Sequence, residues 1–259
     1  MNNKYALITG ASGGIGKAIA YELAKRGRNL LLVARKENEL STIAKDISTK
    51  YSVDAEFIAI DLTSENAVQK IYDWTLQNNW QINMLVNNAG YGLWGNFEDL
   101  PFADQQNMLQ LNVEIPVALA YKFIPHLRQQ TPSYILNIAS TAAYQAIPTL
   151  SLYAASKAFV LVFTRSLRLE LKKKNIIVSC CSPGPVATGF IERAGMQAIA
   201  KAAEKFEMQP EEVAKIAIDG LLKGKAEIIP GFTNKFSAKS ASILPKRFIE
   251  YISSSLYKK

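Results

Sequence analysis

Two side chains in the stretch SLYAASKAFVLVF, residues 151–163, can handle a proton: the phenol of Tyr153 and the ammonium of Lys157. The rest of the stretch is small or apolar and reads as a buried helix. Residues four apart share one helix face, so phenol and ammonium are neighbours there. A free phenol titrates near about pH 10, and it passes a proton at neutral pH more readily as that value falls. A nearby cation favours the phenolate. The spacing alone equally fits an amphipathic surface patch, so the remaining elements must decide what the pair is for.

Those elements alternate. Short apolar runs at 5–9, 29–34, 54–60, 82–87, 133–139, 176–182 and 226–230 read as strands. Helical segments at 14–27, 37–51, 64–78, about 102–128, about 151–174 and 210–224 separate them, with Ser64 as a cap. Strands apolar along their whole length are buried on both faces, and alternation with helices implies right-handed crossovers. The expected fold is a doubly wound Rossmann-type α/β sandwich around a parallel sheet of about seven strands. The division expected is a catalytic domain over 1–230, with a substrate lid near 187–208, and a basic C-terminal extension over 231–259.

The bulk numbers agree. The chain has 259 residues, 49% hydrophobic and 20% charged, an ordinary globular composition with ample core. No apolar run reaches the length of a membrane span, and the start lacks a signal peptide's apolar segment. Cys180 and Cys181 are adjacent in a strand and point to opposite faces, so neither a disulfide nor a metal pair is expected. No metal site is expected elsewhere, and the expected location is the reducing cytoplasm. Net charge is +8. From Gly231 onward six basic residues face one acid, Glu250.

The first strand runs into TGASGGIG, residues 9–16, where Gly10, Gly14 and Gly16 permit a tight turn and close approach of a ligand. The helix that follows offers unpaired N–H groups to a phosphate. The second strand ends at Ala34, where many NAD-binding folds place an acid for the ribose 2′-hydroxyl. Arg35 and Lys36 come next, and Arg35 can grip a 2′-phosphate in a fork, which favours NADP(H) over NAD(H). A solvated basic loop is the competing reading. Asp61, after the third strand, either accepts from an adenine amino group, with Leu62 beside the ring, or caps the next helix. Asn87, Asn88, Ala89 and Gly90 lie at a carboxyl end of the sheet, where small residues admit a flat cofactor or simply turn the chain.

With these pieces in place, the chain resembles the short-chain dehydrogenase/reductase family over nearly its whole length. TGASGGIG, NNAG, NIAS at 137–140, YAASK at 153–157 and PGPVAT at 183–188 match family motifs in order and spacing. The resemblance implies that Tyr153 is the general acid or base of a carbonyl–alcohol interconversion. It implies that Lys157 bonds the nicotinamide ribose and Ser140 the substrate oxygen. Asn112, in LQLNV, would be the fourth member and support a water chain to Lys157. Cofactor contacts would come from Gly10, Ser12, Gly14, Ile15, Gly16, Arg35, Asp61, Leu62, Asn88, Ala89, Gly90, Tyr153, Lys157, Pro183, Gly184, Val186 and Thr188. Gly13 stands where NADP-preferring members often carry a basic residue, so that preference leans on Arg35, with Lys36 and Lys17 as helpers. Ala139 replaces a second serine common in NIAS. The family also implies a homodimer or homotetramer.

These assignments are physically consistent. Lys157 and an oxidised nicotinamide are both cations that would favour the phenolate, and Ser140 is a donor for a developing alkoxide. A non-enzymatic dinucleotide sensor or scaffold on the same fold has no need of Asn112, Ser140, Tyr153 and Lys157 together. Nucleic acid is not an expected partner, because the tail does not interleave aromatic and basic groups on one face.

The segment after Thr188 carries Phe190, Ile191, Met196, Ile199 and Phe206, and Tyr91, Leu93 and Trp94 follow NNAG. Together they suggest a fairly large apolar pocket for a carbonyl on a lipid-like or aromatic body, or else ordinary core. His126 is given no role. The tail resembles that of acyl- or ketoacyl-reductase-like members of the family. Phe248, Ile252 and Leu256 make an apolar stripe at i, i+4 and i+8, flanked by basic residues. It would touch anionic lipid as a peripheral contact, an acidic carrier or CoA substrate, or another subunit, or pack on its own domain with a solvated basic face.

Overall fold

The structure is a computed structural model that describes residues 4–190, 194–195 and 207–256. Ile191, Met196, Ile199 and Phe206 of the expected lid lie outside the described residues. Seven parallel strands form one sheet in the order β3-β2-β1-β4-β5-β6-β7. They are β1 (Lys4–Thr9), β2 (Asn29–Ala34), β3 (Ala55–Ala59), β4 (Gln81–Asn87), β5 (Ser133–Ile138), β6 (Ile176–Cys181) and β7 (Glu227–Ile228). The helices between them are α1 (Gly14–Lys25), α2 (Glu37–Tyr51), α3 (Ala67–Gln77), α4 (Phe102–Leu109), α5 (Ile115–Leu127), α6 (Ser151–Leu171) and α7 (Pro210–Leu222). The expected doubly wound sandwich is what the chain forms.

The strands' two-residue period sorts their side chains into two cores. Ala6 and Ile8 of β1, with Leu30 and Leu32 of β2, meet Ile19 and Leu23 of α1 and Ile218 of α7. Leu7 of β1, with Leu31 and Val33 of β2, meets Ile71 of α3 and Phe123 of α5 on the other face. A shift of one residue would exchange the two sets, so the alternation fixes the register. Cys181 joins the first core, while Cys180 packs in a smaller cluster with Val160 and Leu161. The winding reverses between β1 and β4, so the crevice at their carboxyl ends is where such a sheet takes a ligand.

Four expectations about the elements change. The strand expected over 226–230 has only two paired residues, and β3 at the sheet edge is half-exposed rather than buried throughout. Ser64 does not cap α3. Its hydroxyl donates to the Asp61 carbonyl at 2.6 Å, and α3 begins three residues later, after Asn66 turns at φ 60°. The expected helix over 102–128 is broken into α4 and α5 by a wider turn, Gln110–Glu114, in which the Ile115 amide reaches back five residues to Gln110. Pro116 has no N–H to give to Asn112, so the regular ladder fails there and Asn112 lies in the wider turn.

The C-terminal extension forms α8 (Phe232–Ile243) and α9 (Lys246–Leu256), separated at Pro245. Polar side chains hold them to the body. Asn234 donates to the Pro230 carbonyl at 2.9 Å, and the Ser253 hydroxyl donates to the Ala146 carbonyl at 2.8 Å. Phe248 and Ile252 face outward, 53% and 40% exposed, so this part of the apolar stripe does not pack on the chain's own body.

Candidate active site

Helix α6 brings Tyr153 and Lys157 to one buried face, as their spacing requires. The Lys157 ammonium lies 5.9 Å from the Tyr153 ring centroid and donates to the Ile138 carbonyl at 3.0 Å. Ser140 ends the crossing from β5 and opens a short 3₁₀ turn, Thr141–Tyr144, in which its hydroxyl accepts from the Ala142 amide at 3.1 Å. The same hydroxyl neighbours the Tyr153 phenol and acts to lower its pKa. Asn112 is 1% exposed. It clasps the backbone of Tyr91 from both sides, accepting from the amide at 3.1 Å and donating to the carbonyl at 2.9 Å. It also donates to the Ser156 hydroxyl at 3.1 Å. Sequence reasoning missed Ser156, although its place three residues after Tyr153 and next to Lys157 puts it on the same helix face.

Burial dominates the electrostatics. It pushes the Tyr153 phenol up to about 12, against the opposing hydrogen bond from Ser140. It pulls the Lys157 ammonium down to about 8. The expectation that Lys157 lowers the phenol is therefore not met here: the ammonium is turned to the Ile138 carbonyl, and desolvation is the larger effect.

The glycine turn sits beside this group. Gly10 and Gly14 have φ of +67° and +52°, a region that side chains with a Cβ rarely adopt. A Cβ on Gly14 would meet the Thr188 methyl at 3.0 Å, and one on Gly90 would meet Asn112 Oδ1 at 2.8 Å and Lys157 Nζ at 3.3 Å. Helix α1 starts after Gly13 with no side-chain cap, which leaves its first amides, near Ser12 and Ile15, open to an anion. Asn88 Nδ2 donates to the carbonyls of Thr9 and Gly10, at 2.9 and 3.3 Å, and the Asn88 and Ala89 amides donate to Thr9 Oγ1. These bonds bind NNAG to the glycine turn.

Asp61 uses one oxygen to accept from the Thr63 amide and hydroxyl, at 2.9 and 2.7 Å. It thus braces a turn rather than a helix start. The other oxygen is 3.9 Å from Arg35. Partial burial would raise the Asp61 carboxyl, but the two Thr63 donors and Arg35 hold it below its usual value. Leu62 is buried. Arg35 is 72% exposed at the crevice edge, whereas Lys36 is paired with Glu39 at 2.9 Å and Lys17 lies over the Tyr21 ring. Of the three cations expected at a 2′-phosphate, Arg35 alone carries a guanidinium. Pro183 accepts from the Thr141 amide at 2.9 Å, which ties the PGPVAT loop to the Ser140 turn, and Val186 bridges to Met208. Thr188 Oγ1 accepts from the Phe190 amide. Asn234 of α8 presses on Gly184, a contact the sequence did not announce.

The apolar side chains expected at a substrate pocket do gather here. Phe190 lies 5.4 Å from the Tyr153 ring, and Tyr91, Leu93, Trp94 and Leu152 pack with them. Among the described residues they pack on Tyr153, which is 8% exposed.

A short chain dehydrogenase family model matches residues 4–199. The chain belongs to the short-chain dehydrogenase family. Its seven-stranded parallel sheet with flanking helices is the Rossmann-type α/β fold. The very-long-chain 3-oxoacyl-CoA reductase of Bos taurus is 35% identical to this chain over 189 residues, 71% of this chain and 60% of that protein's length. The human 17-beta-hydroxysteroid dehydrogenase type 3 is 32% identical over 240 residues, 91% of this chain and 76% of its own. A short-chain dehydrogenase from Sphingobium yanoikuyae, solved in complex with NADPH, superposes with a TM-score of 0.83 at 28% identity, covering 96% of this chain and 95% of that one.

Proposed function

We propose that the chain is an NADP(H)-dependent oxidoreductase that interconverts a carbonyl and an alcohol, with residues 1–230 as its catalytic domain and Tyr153 as the proton-transferring group. One observation carries this reading: Tyr153, Lys157 and Ser140 meet at the carboxyl edge of the sheet, beside an uncapped helix start and a positive-φ glycine turn.

The residues fit a dinucleotide. The first amides of α1, with Gly10, Ser12, Gly14, Ile15 and Gly16, would hold the phosphates. Arg35 would hold a 2′-phosphate, Asp61 and Leu62 the adenine, and Asn88, Ala89 and Gly90 the middle. Pro183, Gly184, Val186 and Thr188 would flank the nicotinamide end. The bound nicotinamide supplies or accepts the hydride. In the reducing direction Tyr153 gives its proton to the carbonyl oxygen while the Ser140 hydroxyl holds that oxygen. Lys157, held near about 8 by burial, is suited to refill Tyr153 at neutral pH. Asn112 keeps the Tyr91 backbone and Ser156 in place behind the pair.

The apolar cover of Phe190, Tyr91, Leu93, Trp94 and Leu152 supports a substrate with a bulky apolar body. The names of the two relatives support the same class, since a 3-oxoacyl thioester and a 17-hydroxysteroid each put an oxygen on a large apolar frame. The test is a screen of NADPH and NADH oxidation over ketones, 3-ketoacyl thioesters, quinones and steroids. Turnover with NADPH on a bulky ketone is expected, with Tyr153→Phe slower by roughly 100-fold or more. A Tyr153→Phe enzyme as fast as the wild type would remove Tyr153 from the proton-transfer role.

A further inference from the structure

Helices α8 and α9 keep their polar or small side chains inward and turn large apolar ones outward. In α8, Asn234 and Ala238 are buried, while Phe232, Phe236 and Ile243 are exposed. These three fall at i, i+4 and i+11, which places them on one strip of the helix, with Lys235 and Lys239 along its edge. In α9, Ser253 is buried against Ala146, and Phe248, Tyr251 and Ile252 share the outward face with Arg247 beside them. The six apolar side chains are between 40 and 85% exposed. Lys235, Lys239, Lys246 and Arg247 are exposed and, among the described residues, form no ion pair. Glu250 is the one acid of the extension.

We propose that α8 and α9 form a docking surface for an anionic lipid membrane. An apolar strip edged by lysine and arginine is what a helix lying in the plane of a bilayer surface requires: rings enter the boundary of the acyl chains while ammonium groups meet lipid phosphates. Charge decides against a second copy of the chain as the occupant. A two-fold interface on this face would set Lys235, Lys239, Lys246 and Arg247 of one copy against the same four of the other, with only Glu250 to offset them. Among the described residues no helix is long and apolar enough to cross a membrane, so the contact lies along the surface. The extension is also joined to both loops that edge the site: Asn234 meets Gly184, and Ser253 holds the loop at Ala146 just past the Ser140 turn. A bilayer on the outer face of α8 and α9 would therefore be one helix away from both loops.

The test is flotation of the full chain with vesicles of phosphatidylcholine alone and of phosphatidylcholine with phosphatidylserine, at low and high salt. The expected result is binding to the serine-containing vesicles only, weakened by salt. The Phe232→Ser/Phe236→Ser and Lys235→Glu/Lys239→Glu variants should each lose about tenfold or more in partition. Both should keep the wild-type melting temperature and turnover of a water-soluble ketone, because none of the four residues touches the site. Binding to neither vesicle, or to both alike, overturns the proposal. So does light scattering that shows the phenylalanine variant splitting a larger oligomer, which assigns the face to a second copy. Retention on poly-glutamate without vesicle binding assigns it to an acidic protein and overturns it too. Flotation reads lipid contact and not turnover, so it stands or falls apart from the proposed activity.

Discussion

The ring of Phe190 lies 5.4 Å from the ring of Tyr153, tilted by 50°, and helps leave the phenol 8% exposed. Any substrate oxygen that reaches Tyr153 must displace this ring or enter beside it. Phe190 is partly exposed and follows the Thr188 turn, so its removal costs less than that of a core phenylalanine. Phe190→Ala is expected to lower KM for bulky ketones by roughly tenfold while leaving NADPH affinity unchanged. Steady-state kinetics on a small and a bulky ketone, with fluorescence titration of NADPH, checks it. An equal effect on both ketones would show that Phe190 does not select by size.

Lys157 and Tyr153, both buried, predict opposite pH slopes. Lys157 falls from its ordinary 10.5 to about 8 in the folded chain, so between these values folding releases its proton and stability rises with pH. Tyr153 rises from 10.0 to about 12, so its contribution is intact below 10 and is lost as pH climbs through 12. From pH 8 to pH 9 the lysine acts alone among the buried groups; above 9 the burial-raised thiols of Cys180 and Cys181 lower stability as pH climbs, in the wild type and in a Lys157 variant alike. The wild type should therefore gain stability relative to Lys157→Met across that window, by at most about 1.4 kcal/mol per pH unit. Urea titrations at pH 7.5, 8.5 and 9.5 measure the difference, and a flat difference would contradict the buried, depressed ammonium.

Arg35 is exposed at the end of β2, with Asp61 as its only ion-pair partner among the described residues, at 3.9 Å. The neighbouring Lys36 is held by Glu39. A 2′-phosphate would thus rely on Arg35. Arg35→Asp is expected to weaken NADPH by about tenfold or more and leave NADH nearly unchanged, through lost pairing and added repulsion. Isothermal titration with both nucleotides decides this, and an unchanged ratio of affinities would move the phosphate site elsewhere.

The strands and the chemical motifs were plain in the sequence because each rests on short-range order. Leu30 to Val33 alternate between two cores with a period of two, and Tyr153 and Lys157 share a helix face by spacing. What was hidden depended on contacts between distant segments. Asn112 lies in a wide turn because Pro116 interrupts a pattern that otherwise reads as one helix. The pKa of Tyr153 goes up because distant apolar side chains cover it, which outweighs the lysine four residues away. The amphipathic pattern of α9 was visible, but not which face meets the body. That was decided by Ser253 finding the Ala146 carbonyl, 107 residues earlier.

The contact between Gly184 and Asn234 predicts a coupling between the PGPVAT loop and the C-terminal extension. A Cβ on Gly184 would run into Oδ1, Cγ and Nδ2 of the Asn234 amide, too close for any relaxed contact. Asn234 is buried and its amide is bonded to the Pro230 carbonyl, so it has little room to swing away. Gly184→Ala should therefore destabilise the chain by about 1–3 kcal/mol through overpacking. Asn234→Ala alone should cost about 1 kcal/mol for the lost hydrogen bond. The double variant removes the clash along with the amide, so its loss should be smaller than the sum of the two by about 1 kcal/mol or more. Urea unfolding of the four proteins gives the cycle. Additive losses would mean that Gly184 is required for some reason other than the space Asn234 fills.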